Sequence, residues 1–201
     1  MPGRVNLAVF ISGGGTNLQS LIDAANEGRL SAKIVLVVSS RSDAFGLERA
    51  KRDDIDTFVF KSRNYPTEAD ASKHLMDLLD EYGIEFIALA GYLKMIPPAI
   101  VKKYKNRIAN IHPALLPKHG GKGMYGHFVH EAVLASGDTE SGATVHLVDE
   151  VYDHGKILMQ EKVPIIHGDT AETLAERVLR IEHKIYPLAL ESLIKGILNN
   201  G

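Results

Sequence analysis

The sequence predicts an α/β fold, with a mostly parallel twisted sheet carrying helices on both faces in a single domain. Three observations predict it. Short apolar runs rich in β-branched residues alternate with longer amphipathic runs, the order of repeated strand, helix, strand units. The length, 201 residues, suits one sizeable domain that buries its core without disulfides or metal. No internal repeat or low-complexity linker divides the chain.

The elements follow in order. Val5–Ile11 is apolar and too short for a signal-peptide core or a membrane span, so it reads as the first strand. Thr16–Asn26 places Leu18, Leu21, Ile22 and Ala25 on one helical face. Residues 34–38 form a second strand, 45–51 a helix and 57–60 a short strand. Thr67 and Asp70 have capping-box-like spacing and open a helix that carries Ala71, Leu75, Leu78, Leu79 and Tyr82 on one face, with Gly83 ending it. Residues 86–90 are wholly apolar, as a central strand requires. A short helix starts near Pro97-Pro98, and 107–111 is a fifth strand.

Beyond it, 117–126 is a loop rich in Gly and Lys, and His127–Ala135 a helix. Residues 143–148 and 157–163 are strands joined through a turn at Asp153-His154-Gly155. Asp169 and Glu172 cap a last long helix with Leu174, Val178, Ile181 and Ile185 on its inner face, which Pro187 should kink or interrupt. Ligands of such sheets bind at the carboxyl ends of strands, near a topological switch point. The loops beginning at residues 12, 91, 112 and 149 are all expected to leave strands at that end.

Composition excludes several classes. With 45% hydrophobic and 24% charged residues the chain is ordinary for a soluble globular protein. It has no cysteine, which removes thiol nucleophiles, disulfides and thiolate zinc sites, and fits a reducing, cytoplasmic setting. A net charge of -2 with no basic block argues against a nucleic-acid surface. No segment argues for membrane insertion, and either a monomer or a homodimer is compatible with the sequence.

Three segments carry chemistry. Ser12-Gly13-Gly14-Gly15-Thr16-Asn17 joins a strand to a helix; its glycines let backbone N–H groups approach an anion, and the helix start adds a favourable dipole. No Lys-Ser/Thr follows, so it is not a P-loop, and the dinucleotide spacing is absent. A phosphate site and a plain tight turn are both open readings. Asn110 and His112, two apart at a strand end, can aim an amide and an imidazolium at one oxyanion, or can be a capping Asn beside a packed His. Asp153 can face that His and carry a proton, or can be an Asx-turn residue before Gly155. His146 is either a polar partner beneath these groups or a core histidine. His127 and His130, three apart on a helix, have no third ligand in view and read as surface histidines rather than a metal pair.

With these segments in hand, the chain resembles the phosphoribosylglycinamide formyltransferases, folate-dependent enzymes of purine biosynthesis, from about residue 5 to 194. The segments that carry the resemblance are Ile11 to Leu18, Asp43 to Leu47, Leu89 to Met95, Asn110 to Pro117, Val145-His146 with Asp153, and Glu182 to Pro187. It implies a Rossmann-like formyltransferase fold with a phosphate-binding half at about 1–100 and a catalytic and folate-binding half at about 101–201. It implies that 10-formyltetrahydrofolate is the co-substrate and glycinamide ribotide the acceptor, with no metal. Asn110, His112 and Asp153 would be catalytic; Gly15, Thr16 and Asn17 would hold the phosphate, and Glu182 the glycinamide end. Leu93, Lys94, Met95 and Ile96, with Asn110, would line the folate pocket. Asp153 would keep His112 protonated. The Leu116-Pro117 bond is expected to be cis.

There are departures. Glu68 stands where the family often has a folate-contacting Arg, with Arg63 nearby; His154 stands at a common Gly, and Leu179 where some members carry a substrate-holding Gln. Formyltetrahydrofolate deformylase shares the Asn, His and Asp trio but usually adds an amino-terminal domain. Methionyl-tRNA formyltransferase usually adds a carboxyl-terminal RNA-binding domain. A chain that begins at its first strand and stops after its last helix is expected to be neither. A folate- or sugar-phosphate-binding module without catalysis is the non-enzymatic alternative.

Overall fold

The structure is a computed structural model describing residues 4–199. Seven strands form one sheet in the order β3-β2-β1-β4-β5-β6-β7. They are β1 (Val5–Ile11), β2 (Ala32–Ser39), β3 (Asp56–Val59), β4 (Phe86–Leu89), β5 (Ile108–His112), β6 (Glu140–Leu147) and β7 (Ile157–Pro164). The first five pair in parallel, while β6 and β7 are antiparallel. Six α-helices cover the sheet: α1 (Thr16–Asn26), α2 (Gly46–Arg52), α3 (Glu68–Glu81), α4 (Pro98–Lys103), α5 (His127–Ala135) and α6 (Ala171–Leu198).

Strand alternation divides the core. Along β1, Leu7, Val9 and Ile11 pack on one face with Leu18, Leu21, Val178 and Leu190. Ala8 and Phe10 point the other way, to Leu36, Leu75, Leu79 and Ile100. Both sides of the central strands are therefore dry, which is why they read as unbroken apolar runs.

The chain runs outward from β1 to β3 and then returns to β4 on the other side of β1. The connections after β1 and β4 separate at that switch point and leave a crevice between them. Ser12 ties the two together, its Oγ accepting from the Leu93 N–H at 2.9 Å. The residue 112 connection leaves at the same end. The residue 149 connection does not: β6 is antiparallel, so its carboxyl end lies beside the amino end of β5, and the loop folds back to reach the crevice.

Helix α6 has a different cap from the one expected, and Pro187 does not interrupt it. Its cap is Thr170, whose side chain accepts from Thr173 N–H while Thr173 reciprocates, so Asp169 and Glu172 are not the cap. Asp169 instead pairs with Arg177 at 2.7 Å. Pro187 sits inside the helix without interrupting it over 28 residues. A mid-helix proline costs about 3 kcal/mol. Burying Leu174, Val178, Ile185, Leu190 and Ile194 contributes about 1.5–3 kcal/mol each, so packing outweighs the loss.

Candidate active site

The crevice is a cleft of about 740 Å³, a common size for small-molecule sites. Asn17, Leu93, Lys94, Met95, Ile96, Asn110, His112, Asp153 and Glu182 all line it. Gly15 and Thr16 do not; they stand beside Asn17 at the start of α1.

Asn110 and His112 are two apart on β5 and share one side of the strand. Asn110 lies directly opposite His146 in the antiparallel β5–β6 register. His146 Nδ1 donates to the Leu147 carbonyl at 2.8 Å, which leaves Nε2 to accept from Asn110 Nδ2 at 3.1 Å. The other amide proton of Asn110 is directed at Asp153 Oδ1, 3.4 Å away. His146 is thus the polar partner beneath the site, as well as buried.

Asp153 adopts a left-handed backbone, φ 52°, in the loop between β6 and β7. Its neighbour Gly155 lets that loop close: a Cβ there would stand 1.8 Å from the Leu147 carbonyl oxygen. The Asp153 carboxylate, half-buried with its loop, accepts from Gly121 N–H at 2.9 Å and lies 3.6 Å from His112 Nδ1. Burial pushes its pKa up, but the neighbouring His146 and His112 rings and the Gly121 N–H outweigh burial and hold it below the usual carboxylate value.

His112 departs from expectation. Its Nε2 donates to the His119 carbonyl at 2.9 Å. Burial pushes its pKa below the ordinary 6.5, and the opposing pull of Asp153 and the His119 carbonyl does not restore it. The ring is therefore neutral in the free protein at neutral pH; Asp153 does not keep it charged.

Glu182 is buried on α6, and its carboxylate accepts from Asn17 Nδ2 at 2.5 Å. Burial raises its pKa despite that bond. Asn17 gives Nδ2 to Glu182 while its Oδ1 has no partner; the N-cap of α1 is Gly15, left-handed at φ 71° with no side-chain cap. Leu93 and Met95 are half exposed on the cleft rim, Lys94 is exposed, and Ile96 is buried. Leu179 lines the cleft with an apolar side chain. Arg63 and Glu68 are exposed and line a neighbouring crevice with Lys61 and Lys94. His154 is exposed and not part of the cleft wall; it pairs at 3.0 Å with Asp149, which is part of it. The Leu116-Pro117 bond is cis.

Residue-by-residue reading missed the backbone groups of His119 and Gly121, which touch His112 and Asp153. The glycines at 120, 121, 123 and 126 were the signal that backbone approaches closely there. His130 is also corrected: it is buried, not on the surface, and its Nδ1 has no partner. Burial first, then the charges of His112 and His127, push its pKa down to about 4. The unfolded chain takes up that proton near the ordinary 6.5 and the folded chain only near 4. Stability is therefore expected to fall as pH drops through this window, by at most about 3.5 kcal/mol at about 1.4 kcal/mol per pH unit. Urea unfolding at pH 7.5 and 4.5 checks this; His130→Gln should show a smaller acid loss than the parent.

With this geometry in place, known proteins can be compared. The family model for formyl transferase matches residues 5–190. The chain belongs to the formyl transferase family. It is 47% identical over 186 residues to a chloroplastic phosphoribosylglycinamide formyltransferase of Arabidopsis thaliana, covering 92% of this chain and 64% of the plant protein. It is 40% identical over 192 residues to the phosphoribosylglycinamide formyltransferase of Haemophilus influenzae, covering 96% of this chain and 88% of that one. The crystal structure of glycinamide ribonucleotide transformylase 1 from Symbiobacterium toebii superposes with a TM-score of 0.91 at 37% identity, covering 98% of this chain and 90% of that chain. The chain spans less than two thirds of the length of the plant relatives, 64% and 61%. The formyl transferase fold here is a single seven-stranded sheet wrapped by helices. Among the described residues no helix is long and apolar enough to cross a membrane.

Proposed function

We propose that this formyl transferase moves the formyl group of 10-formyltetrahydrofolate to the amine of 5-phosphoribosylglycinamide, giving formylglycinamide ribotide and tetrahydrofolate in purine biosynthesis. The observation that carries the reading is one cleft whose wall brings together Asn110, His112 and Asp153 with Asn17, Glu182 and Leu93 to Ile96. The relatives named for that activity support the choice of acceptor.

Roles follow from position. The uncapped first turn of α1 presents orphan N–H groups, so Gly15, Thr16 and Asn17 receive the phosphate. Glu182, at the Asn17 end of the cleft, receives the glycinamide. Leu93, Lys94, Met95 and Ile96 provide an apolar rim and backbone groups for the flat folate ring. When the acceptor amine attacks the formyl carbon, the carbonyl pair moves to oxygen. Asn110 turns toward that oxyanion the proton now spent on its long bond to Asp153. His112, neutral at rest, takes a solvent proton at Nδ1 beside the new negative charge, becomes the second donor, and returns that proton to solvent when the oxyanion collapses. Asp153, ionised and below its usual pKa, accepts the proton lost by the amine and returns it through water to the departing folate nitrogen. The leaving group thus needs a proton, and no step is assigned to a metal. The absence of cysteine suits the reducing cytoplasm in which we place the enzyme.

Mixing the protein with 10-formyltetrahydrofolate and glycinamide ribotide tests the reading. Tetrahydrofolate should be released only when the ribotide is present. Release at an equal rate without it would make the protein a deformylase instead.

A further inference from the structure

The segment Asp43-Ala44-Phe45-Gly46-Leu47, which leads into α2, touches no residue assigned to catalysis, yet it packs on the glycine turn after β1. Gly15 approaches it so closely that a Cβ at Gly15 would stand 2.6 Å from the Gly46 Cα. The contact is also polar. Gly46 N–H donates to the Gly13 carbonyl at 3.1 Å. Arg49 Nε donates to the Gly14 carbonyl at 2.9 Å, and its Nη1 donates to Gln19 Oε1 at 3.2 Å. The Gly15 carbonyl accepts from Gln19 N–H at 2.9 Å. All three glycine carbonyls are therefore tied back by the protein. A peptide whose carbonyl is held on one side presents its N–H on the other, so the amides of this turn are left to face a ligand.

Arg49 contributes more than a tether. Its guanidinium lies 5.2 Å from the Phe45 ring centre, which fixes its plane, and its side-chain stem packs 3.4 Å from the Cβ position of Gly15. Among the described residues no carboxylate lies within ion-pair distance of it, in contrast to Arg29, Arg41 and Arg177. The cationic side chains on the cleft wall itself, Lys94 and Lys122, belong to the connections after β4 and β5 and not to the glycine turn. An uncompensated, rigidly held cation thus sits directly behind the turn.

We infer that Arg49 is a positioning residue for the substrate phosphate: it fixes the Gly13 to Gly15 turn with its amides outward and supplies the positive charge that a phosphate dianion requires. The inference rests on the proposed assignment of the phosphate to Gly15–Asn17 and adds a residue outside the cleft wall.

Steady-state kinetics of Arg49→Gln and Arg49→Lys, with glycinamide ribotide and with the dephosphorylated glycinamide riboside, test it. Arg52→Gln is the control: it removes the same charge from the same helix and also stacks on Phe45, at 5.7 Å, without reaching the turn. Arg49→Gln should raise KM for the ribotide about tenfold or more, as expected for losing a charge-assisted hydrogen bond. Its KM for the formyl donor, its kcat, and its kcat/KM for the riboside should match the parent. Inorganic phosphate should inhibit it less, and Arg49→Lys should recover part of the loss by keeping the charge. Equal losses on ribotide and riboside would reduce Arg49 to a purely structural role, and an unchanged ribotide KM would overturn the inference outright. A parent enzyme that does not prefer ribotide to riboside would instead remove the phosphate assignment itself, before any variant is considered.

Discussion

Replacing Asp153 with Asn is expected to lower kcat by about three orders of magnitude, within the range that positioned acid–base groups contribute. The amide is nearly isosteric, so the loop held by Gly155 and the bond from Gly121 N–H keep an oxygen acceptor in place. What disappears is the negative charge and with it the proton acceptor. A loss of that size corresponds to about 4 kcal/mol of transition-state stabilisation. Binding of a non-reactive folate analogue should change only slightly, because the folate pocket we propose is formed by Leu93 to Ile96 and not by the carboxylate. Stopped-flow or steady-state release of tetrahydrofolate, with a titration of the analogue, separates the two quantities. Turnover near the parental rate would remove Asp153 from the mechanism.

His112→Ala is expected to lower kcat by about two to three orders of magnitude, the usual effect of removing one oxyanion donor. It also frees the His119 carbonyl and opens space beside Asp153, so thermal unfolding and analogue binding should be followed in parallel. The double variant with Asn110→Ala should lose less than the product of the two single losses, because the two donors act on one oxygen. A single variant that kept kcat within about threefold, far short of the loss expected for a donor, would show that His112 packs beneath the site without taking part. The neutral resting state of His112 matters to how these data are read. A donor that gains its proton only as the oxyanion forms leaves no titration near 6.5 in the free enzyme, so the acid limb of kcat/KM should lie below that value.

Much of this site was legible along the chain because its parts are local. Asn110 and His112 share a side of β5 for the reason that any residues two apart on a strand do. The triple glycine between a strand and a helix marks a turn where backbone N–H groups gather, whatever the rest of the fold. The apolar periods of β1, β4 and the helices fixed the α/β class, since burial demands those periods.

What only the tertiary structure decided depends on groups far apart in sequence. The neutral state of His112 comes from burial by distant elements, which no local pattern encodes, and burial overrode the Asp153 charge that the trio alone suggested. His130 looked like a surface residue until the cleft wall closed over it. Pro187 looked like a helix break because propensity is local, whereas the packing that overrides it joins α6 to several strands. Asn17 and Glu182, 165 residues apart, meet only through the fold, where Nδ2 donates to the carboxylate. Arg49 was one more charge on a short helix until the fold laid it against Gly14, 35 residues earlier in the chain. Sequence periodicity sets which faces are buried; which polar atoms meet across those faces is set by topology, and that pairing gives this cleft its chemistry.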